Sequence, residues 1–226
     1  MPLKLVSKQV GPWPMNTYAM VCEETQTSAI IDPGADADDI LALVEGTRVD
    51  KILLTHGHPD HVGALDEVRK ATGAPVYLHP ADGETFDIPY DVSLEGLDYI
   101  EVGKQRLRVF HTPGHTPGQT CFDIGDKRVA VGDTLFVNGP GATETPEDFT
   151  TTMETIQNTI LAWPDETEFF PGHGPSGIVG NERPAIKKFI EKGWRPDLCG
   201  DVTWKRSLKS QIRSLFNFFA NRKKKL

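Results

Sequence analysis

Short apolar runs separated by turn residues dominate the first half of the chain. Thr17–Cys22 and Ser28–Ile31 read as a hairpin across the polar Glu23–Thr27, and Asp32-Pro33-Gly34 marks a turn. The period then changes. A helix capped by Asp36, with Asp39 at the reciprocal position, is expected to run to about Glu45 and stop at Gly46. Lys51–Thr55 is a strand with an apolar centre, Ile52-Leu53-Leu54. Val62, Leu65 and Val68 line one face of a helix from about Asp60 to Ala71, with Gly73 past its end. Pro75–His79 is a further strand.

The middle of the chain is richer in strands. Tyr99–Val102 and Gln105–Phe110 flank a turn at Gly103-Lys104, and Thr120–Ile124 and Lys127–Val131 flank Gly125-Asp126. Thr145-Pro146-Glu147-Asp148 opens a helix whose apolar face is Phe149, Met153, Ile156 and Ile160. Thr167–Phe170 is a strand and Glu182–Lys192 a helix. Each half thus supplies strands and then helices. Two mixed sheets packed face to face with helices outside, an α+β architecture, is the economical arrangement.

Charge and composition narrow the function. The 226 residues carry a net charge of −8, unevenly spread. Residues 201–226 hold eight Lys/Arg and one acid, Asp201, giving +7; the other 200 hold 16 bases and 31 acids, giving −15. A body that acidic is a poor surface for polyphosphate, so nucleic acid is not an expected partner. Residues 1–200 are read as one domain and 201–226 as a basic tail. In the tail Leu208, Ile212, Leu215, Phe216 and Phe219 share one helical face. That face either packs on its own domain or meets a membrane surface or a protein partner. The longest apolar runs, Tyr18–Cys22 and Ile40–Val44, are five residues, far short of the ~20 a spanning helix needs. The N-terminal stretch lacks the apolar core of a signal peptide. Cys22, Cys121 and Cys199 are far apart and odd in number, which points to a reducing cytoplasm rather than a disulfide framework.

The chemistry concentrates in Thr55-His56-Gly57-His58-Pro59-Asp60-His61-Val62-Gly63. In an extended loop His56 and His58 point the same way and can grip one cation. The turn into a helix redirects Asp60 and His61 to an adjacent position, so the segment can serve two metal centres. Burying so many titratable groups without a cation would be costly. Three further segments end strands with a donor beside a glycine: Pro113-Gly114-His115-Thr116-Pro117-Gly118, Gly132-Asp133-Thr134, and Pro171-Gly172-His173-Gly174. Imidazole and carboxylate without thiolate suit zinc, iron or manganese. Asp32 reads as a turn residue that is also placed to hydrogen-bond a liganding imidazole. His79 reads as a strand-end residue, His111 as a loop or supporting residue, and Cys121 as core.

THGHPDHVG, PGHTPG, GDTLF and PGHG, in that order over roughly residues 10–190, resemble the metallo-β-lactamase superfamily, and most of all its small glyoxalase II-like hydrolases. The resemblance implies a four-layer αββα sandwich with a dinuclear site, two Zn2+ or alternatively Fe or Mn, along one sheet edge. It assigns His56, His58 and His115 to the first metal, Asp60, His61 and His173 to the second, and Asp133 to a bridge between them. Asp60 and Asp133 are the candidate catalytic carboxylates. The implied reaction is hydrolysis of a small-molecule thioester or related ester. A lactonase or β-lactamase could use the same site. Sulfur dioxygenases resemble the same family but use a single iron at positions like His56, His115 and Asp133. After GDTLF many relatives have a GRTD-like stretch, whereas here Ala142 stands where the arginine is expected, which weakens the case for glutathione.

Overall fold

The computed structural model describes residues 1–204. Within them the chain forms two six-stranded mixed sheets. The first runs in spatial order β1 (Lys4–Val10), β2 (Met15–Cys22), β3 (Thr27–Ile31), β4 (Arg48–Leu53), β5 (Val76–Leu78) and β6 (Val92–Ser93). Its first three strands are antiparallel neighbours and the rest pair in parallel. The second sheet contains β7 (Tyr99–Val102), β8 (Gln105–His111), β9 (Thr120–Asp123), β10 (Arg128–Gly132), β13 (Glu168–Pro171) and β14 (Gly177–Ile178). Between them in sequence, β11 (Leu135–Phe136) and β12 (Gly139–Pro140) form a small ribbon. The helices are α1 (Ala37–Leu43), α2 (Pro59–Val62), α3 (Leu65–Thr72), α4 (Pro80–Phe86), α5 (Pro146–Asn158) and α6 (Val179–Lys192).

Three apolar clusters show why the elements stack as four layers. Tyr18, Met20, Ile31, Leu53, Leu107, Phe122 and Ala130 fill the space between the sheets. Ala19, Ile30 and Ile52, on the opposite face of the first sheet, pack with Ile40 of α1 and Leu65 and Val68 of α3. Val129, Val131 and Phe169 pack with Phe149, Met153 and Ile156 of α5 and Ile186 and Phe189 of α6. Alternate residues of one strand thus enter different cores, which is why β2 and β3 are buried at every position. The arrangement is the expected α+β sandwich of two mixed sheets between helices.

Several elements differ from their expected form. The helix expected from Asp60 to Ala71 is two helices, α2 and α3, separated at Gly63-Ala64. A Cβ on Gly63 would lie 2.4 Å from the Gly34 carbonyl oxygen, so the chain bends where two backbones touch. Asp36 precedes α1 but does not cap it. Its φ is 52°, and its carboxylate accepts from the Gly11 N–H at 2.8 Å, while Asp39 pairs with Lys8. Sequence periodicity missed β1, α4 and β6, and α6 begins at Val179 rather than Glu182. The Thr145 cap is reciprocal with Asp148, as its sequence indicates. Val202 and Trp204 are buried in the outer core beside α6. The amphipathic tail helix expected through Leu208–Phe219 lies outside the described residues. Among the described residues no helix is long and apolar enough to cross a membrane.

The inter-sheet core is the mechanical centre of this arrangement. Phe122→Ala, at a fully buried position, is expected to lower unfolding free energy by about 3–5 kcal/mol, read by urea denaturation. A loss below about 1 kcal/mol would show that the layers do not depend on that contact.

Candidate metal centre

The chemistry-bearing segments all leave the same edge of the sandwich. Asp32 follows β3, His56 follows β4, Asp133 follows β10 and His173 follows β13, while His115 sits in the β8–β9 connection. Parallel neighbours deliver side chains to a common end, so residues far apart in sequence converge there.

The seven sequence-predicted site residues come together. His56, His58 and His115 form one group of donor atoms lying within 4.8 Å of one another, and Asp60, His61 and His173 form another. Asp133 stands between them. Its Oδ2 is 3.5 Å from His115 Nε2 and 3.9 Å from His173 Nε2, and its Oδ1 is 3.5 Å from His61 Nε2. Close approach requires a glycine at 172, where a Cβ would lie 2.3 Å from Asp133 Oδ1 and 2.4 Å from His61 Cε1.

The outer hydrogen bonds fix which ring nitrogens face inward. His115 Nδ1 donates to the Ala142 carbonyl at 2.7 Å, and His173 Nδ1 to the Pro14 carbonyl at 3.1 Å. His61 Nδ1 donates to Asp32 Oδ2 at 2.9 Å. Thr55 Oγ1 donates to the same Asp32 oxygen at 2.6 Å, so it accepts from His56 Nδ1 at 3.0 Å. Asp32 therefore orients His61 directly and His56 through Thr55, and it also accepts the Thr55 N–H at 2.7 Å. It shares a cluster of potential ligands with His56 and His61, but its oxygens are already occupied. Thr55 was not singled out from sequence; its position beside His56 carries no spacing signal.

Three inward atoms are left without partners, while His115 Nε2 and His58 Nδ1 face each other at 2.9 Å. His56 Nε2, His61 Nε2 and Asp133 Oδ1 are buried and make no hydrogen bond. Lone pairs directed at one another in a buried pocket are unfavourable unless a positive charge lies between them. The field points the same way. Burial lowers the His61 pKa, but Asp133, Asp32 and Asp60 overcome it and hold it at about 9. That field favours a cation as much as a proton. Burial, reinforced by the neighbouring imidazoles, keeps His56 neutral, and burial with His115 holds His58 down at about 4. The donor set fits two hard or borderline divalent cations, one at each group with Asp133 between.

His79 and His111 lie apart from these groups. Their rings stack with centroids 4.1 Å apart, and His79 Nδ1 accepts the Ala81 N–H at the start of α4. Cys121 is fully buried against Thr112 and Thr134.

The fold and this donor set are those of a metal-dependent hydrolase or a related enzyme. The chain belongs to the metallo-β-lactamase superfamily, whose family model matches residues 10–173. It is 30% identical over 187 residues to hydroxyacylglutathione hydrolase GloC of Haemophilus influenzae, covering 73% of this chain and 88% of that protein. Two solved structures are similar. The BLEG-1 B3 metallo-β-lactamase has a TM-score of 0.72 at 31% identity, over 80% of this chain and 97% of the other. TTHA1623 in a di-iron-bound form has a TM-score of 0.67 at 30% identity, over 79% and 96%.

The metal-free protein is expected to be most stable near pH 6.5. His56 and His58, neutral when folded, take up protons on unfolding in acid, so stability rises as pH climbs toward 6.5. His61, held at about 9, contributes stability that is complete below 6.5 and lost as pH rises through 9. Urea denaturation of chelator-treated protein from pH 4 to 10 reads the maximum. A curve rising steadily through pH 9 would contradict the His61 environment.

Proposed function

We propose that the chain is a dinuclear metallohydrolase that cleaves a small-molecule thioester or related ester in the reducing cytoplasm. The observation that carries this reading is the pair of donor groups, His56/His58/His115 and Asp60/His61/His173, on either side of Asp133, with His56 Nε2, His61 Nε2 and Asp133 Oδ1 buried and unpartnered. When bound, two divalent cations would lower the pKa of a shared water from about 15.7 toward about 7 and polarise the acyl carbonyl.

The chain's own residues supply the rest. His56, His58 and His115 would hold the first ion and Asp60, His61 and His173 the second. Asp133 would bridge the two and keep them at a fixed separation. Asp60, 3.0 Å from His173 Nε2 and partly exposed, is placed to accept a proton during attack or hand one to the leaving group. A thiolate leaves readily because its conjugate acid has a pKa near about 8.5, which reduces the demand for an acid. Zinc suits all seven donors, and iron or manganese suits them as well.

The surroundings favour a substrate other than glutathione itself. Ala142 offers His115 its carbonyl but no guanidinium for a carboxylate. Lys187, Lys188 and Lys192 lie exposed on α6 in the outer layer, and Arg195 is paired with Asp197. The three free cysteines, two of them buried, are consistent with a reducing compartment.

Elemental analysis with a panel of thioester, lactone and persulfide substrates tests the reading. Two ions per chain with thioester cleavage is the expected result. Asp133→Asn and His58→Ala should each lower the rate by more than about 100-fold, the upper end of what losing even an outer partner costs. One iron per chain with oxygen uptake on a persulfide would overturn the hydrolase in favour of a dioxygenase. Full thioesterase activity in His58→Ala or Asp60→Ala would overturn the metal mechanism.

A further inference from the structure

The geometry points to Asp82 as the residue that positions the His56/His58/His115 half of the centre, by tying the two loops that carry those histidines to one carboxylate. The inference rests on the dinuclear reading above. Asp82 lies on α4, in a segment that sequence analysis passed over, and its side chain is fully buried. Its Oδ2 accepts the Gly57 N–H at 2.8 Å and the Thr116 hydroxyl at 2.8 Å. Its Oδ1 accepts the Gly118 N–H at 2.6 Å.

The identities of those donors carry the argument. Gly57 is the residue between His56 and His58, and Thr116 follows His115. One oxygen atom therefore joins the backbone of the first loop to the second loop, and it sets how far apart the imidazoles stand. Donors on an ionised acceptor make short bonds roughly twice as strong as neutral ones, and burial keeps water from competing. Gly118 is needed for the approach, since a Cβ there would lie 2.7 Å from Asp82 Oδ1.

The helix bearing Asp82 is itself anchored to the second loop. His79 caps α4, and its ring stacks on His111, whose Nε2 donates to the Pro117 carbonyl at 2.9 Å. The two histidines outside the centre thus hold the same β8–β9 loop. No hydrogen bond of Asp82 reaches Asp60, His61 or His173. His61 and His173 are oriented instead by Asp32 and the Pro14 carbonyl. Asp82 ties the loops of the first half alone, whereas Asp32 orients His61 of the second half and, through Thr55, the His56 ring of the first.

The test is a two-step zinc titration of the full-length protein against a chromophoric chelator, with His58→Ala and Asp60→Ala identifying the two steps. Asp82→Ala should weaken the step that His58→Ala removes by about 10- to 100-fold and leave the Asp60 step within about 3-fold. Asp82→Asn and Thr116→Val, which keep the shape of the site, should weaken the same step by smaller factors. They carry the test if Asp82→Ala does not fold. Equal weakening of both steps, or no change in either, would overturn the positioning role while leaving the dinuclear centre intact. Wild-type protein that takes up fewer than two ions would overturn the centre, and this inference with it.

Discussion

The structure is organised around mutual repulsion. Five imidazoles and two carboxylates converge on one edge, where His56 Nε2, His61 Nε2 and Asp133 Oδ1 are buried without partners and other inward donors meet only one another, an arrangement that positive charge makes favourable. A protonated His61 can supply part of it, because three carboxylates raise its pKa to about 9. It cannot supply the rest, since His56 and His58 are held neutral by burial and by their neighbours. The site therefore carries an imbalance of charge, which bound cations would relieve by replacing one proton with several positive charges.

The fold answers the geometric half of that problem. Two sheets packed face to face hold their strand ends rigidly, and the parallel pairs β3–β4 and β10–β13 direct donors to the same edge. The ligand-bearing loops then need only short excursions from rigid strands. Where loops come into contact, side chains are sacrificed: Gly141 lies so near that a Cβ would meet the Asp133 carbonyl oxygen and the His115 ring. That crowding accounts for Gly141 alone; Ala142 beside it is exposed.

The parts legible from sequence and the parts that were not differ physically. The donors of the centre announce themselves because four of them share one short segment and the other three each directly follow a glycine. The hairpins β7–β8 and β9–β10 and the capping box of α5 are written in local turn and cap chemistry. By contrast, β1 (KLVSKQV) has no regular alternation and lies on a sheet edge where most of its residues are exposed, and α4 is a seven-residue helix containing a glycine. The break between α2 and α3 arises from backbone contact with Gly34, which no periodicity records. The supports of the site were hidden for a related reason. Thr55 acts as a link between His56 and Asp32, and Asp82 acts mainly on backbone N–H groups, which every residue possesses and no motif displays.

This contrast bears on how the centre keeps its shape. A ligand set alone would let each loop settle wherever its own cation drew it. Here two buried carboxylates that need not touch a cation set the imidazoles beforehand, Asp32 at the end of β3 and Asp82 on α4. Each is filled with donors, so neither has an oxygen free to compete for an ion. Preorganisation of this kind matters for hydrolysis, because a water activated between two cations gains nothing if the cations drift apart. The outer layer of α4, which contributes no donor to the centre, is in this view as much a part of the catalytic apparatus as the strands that carry the histidines.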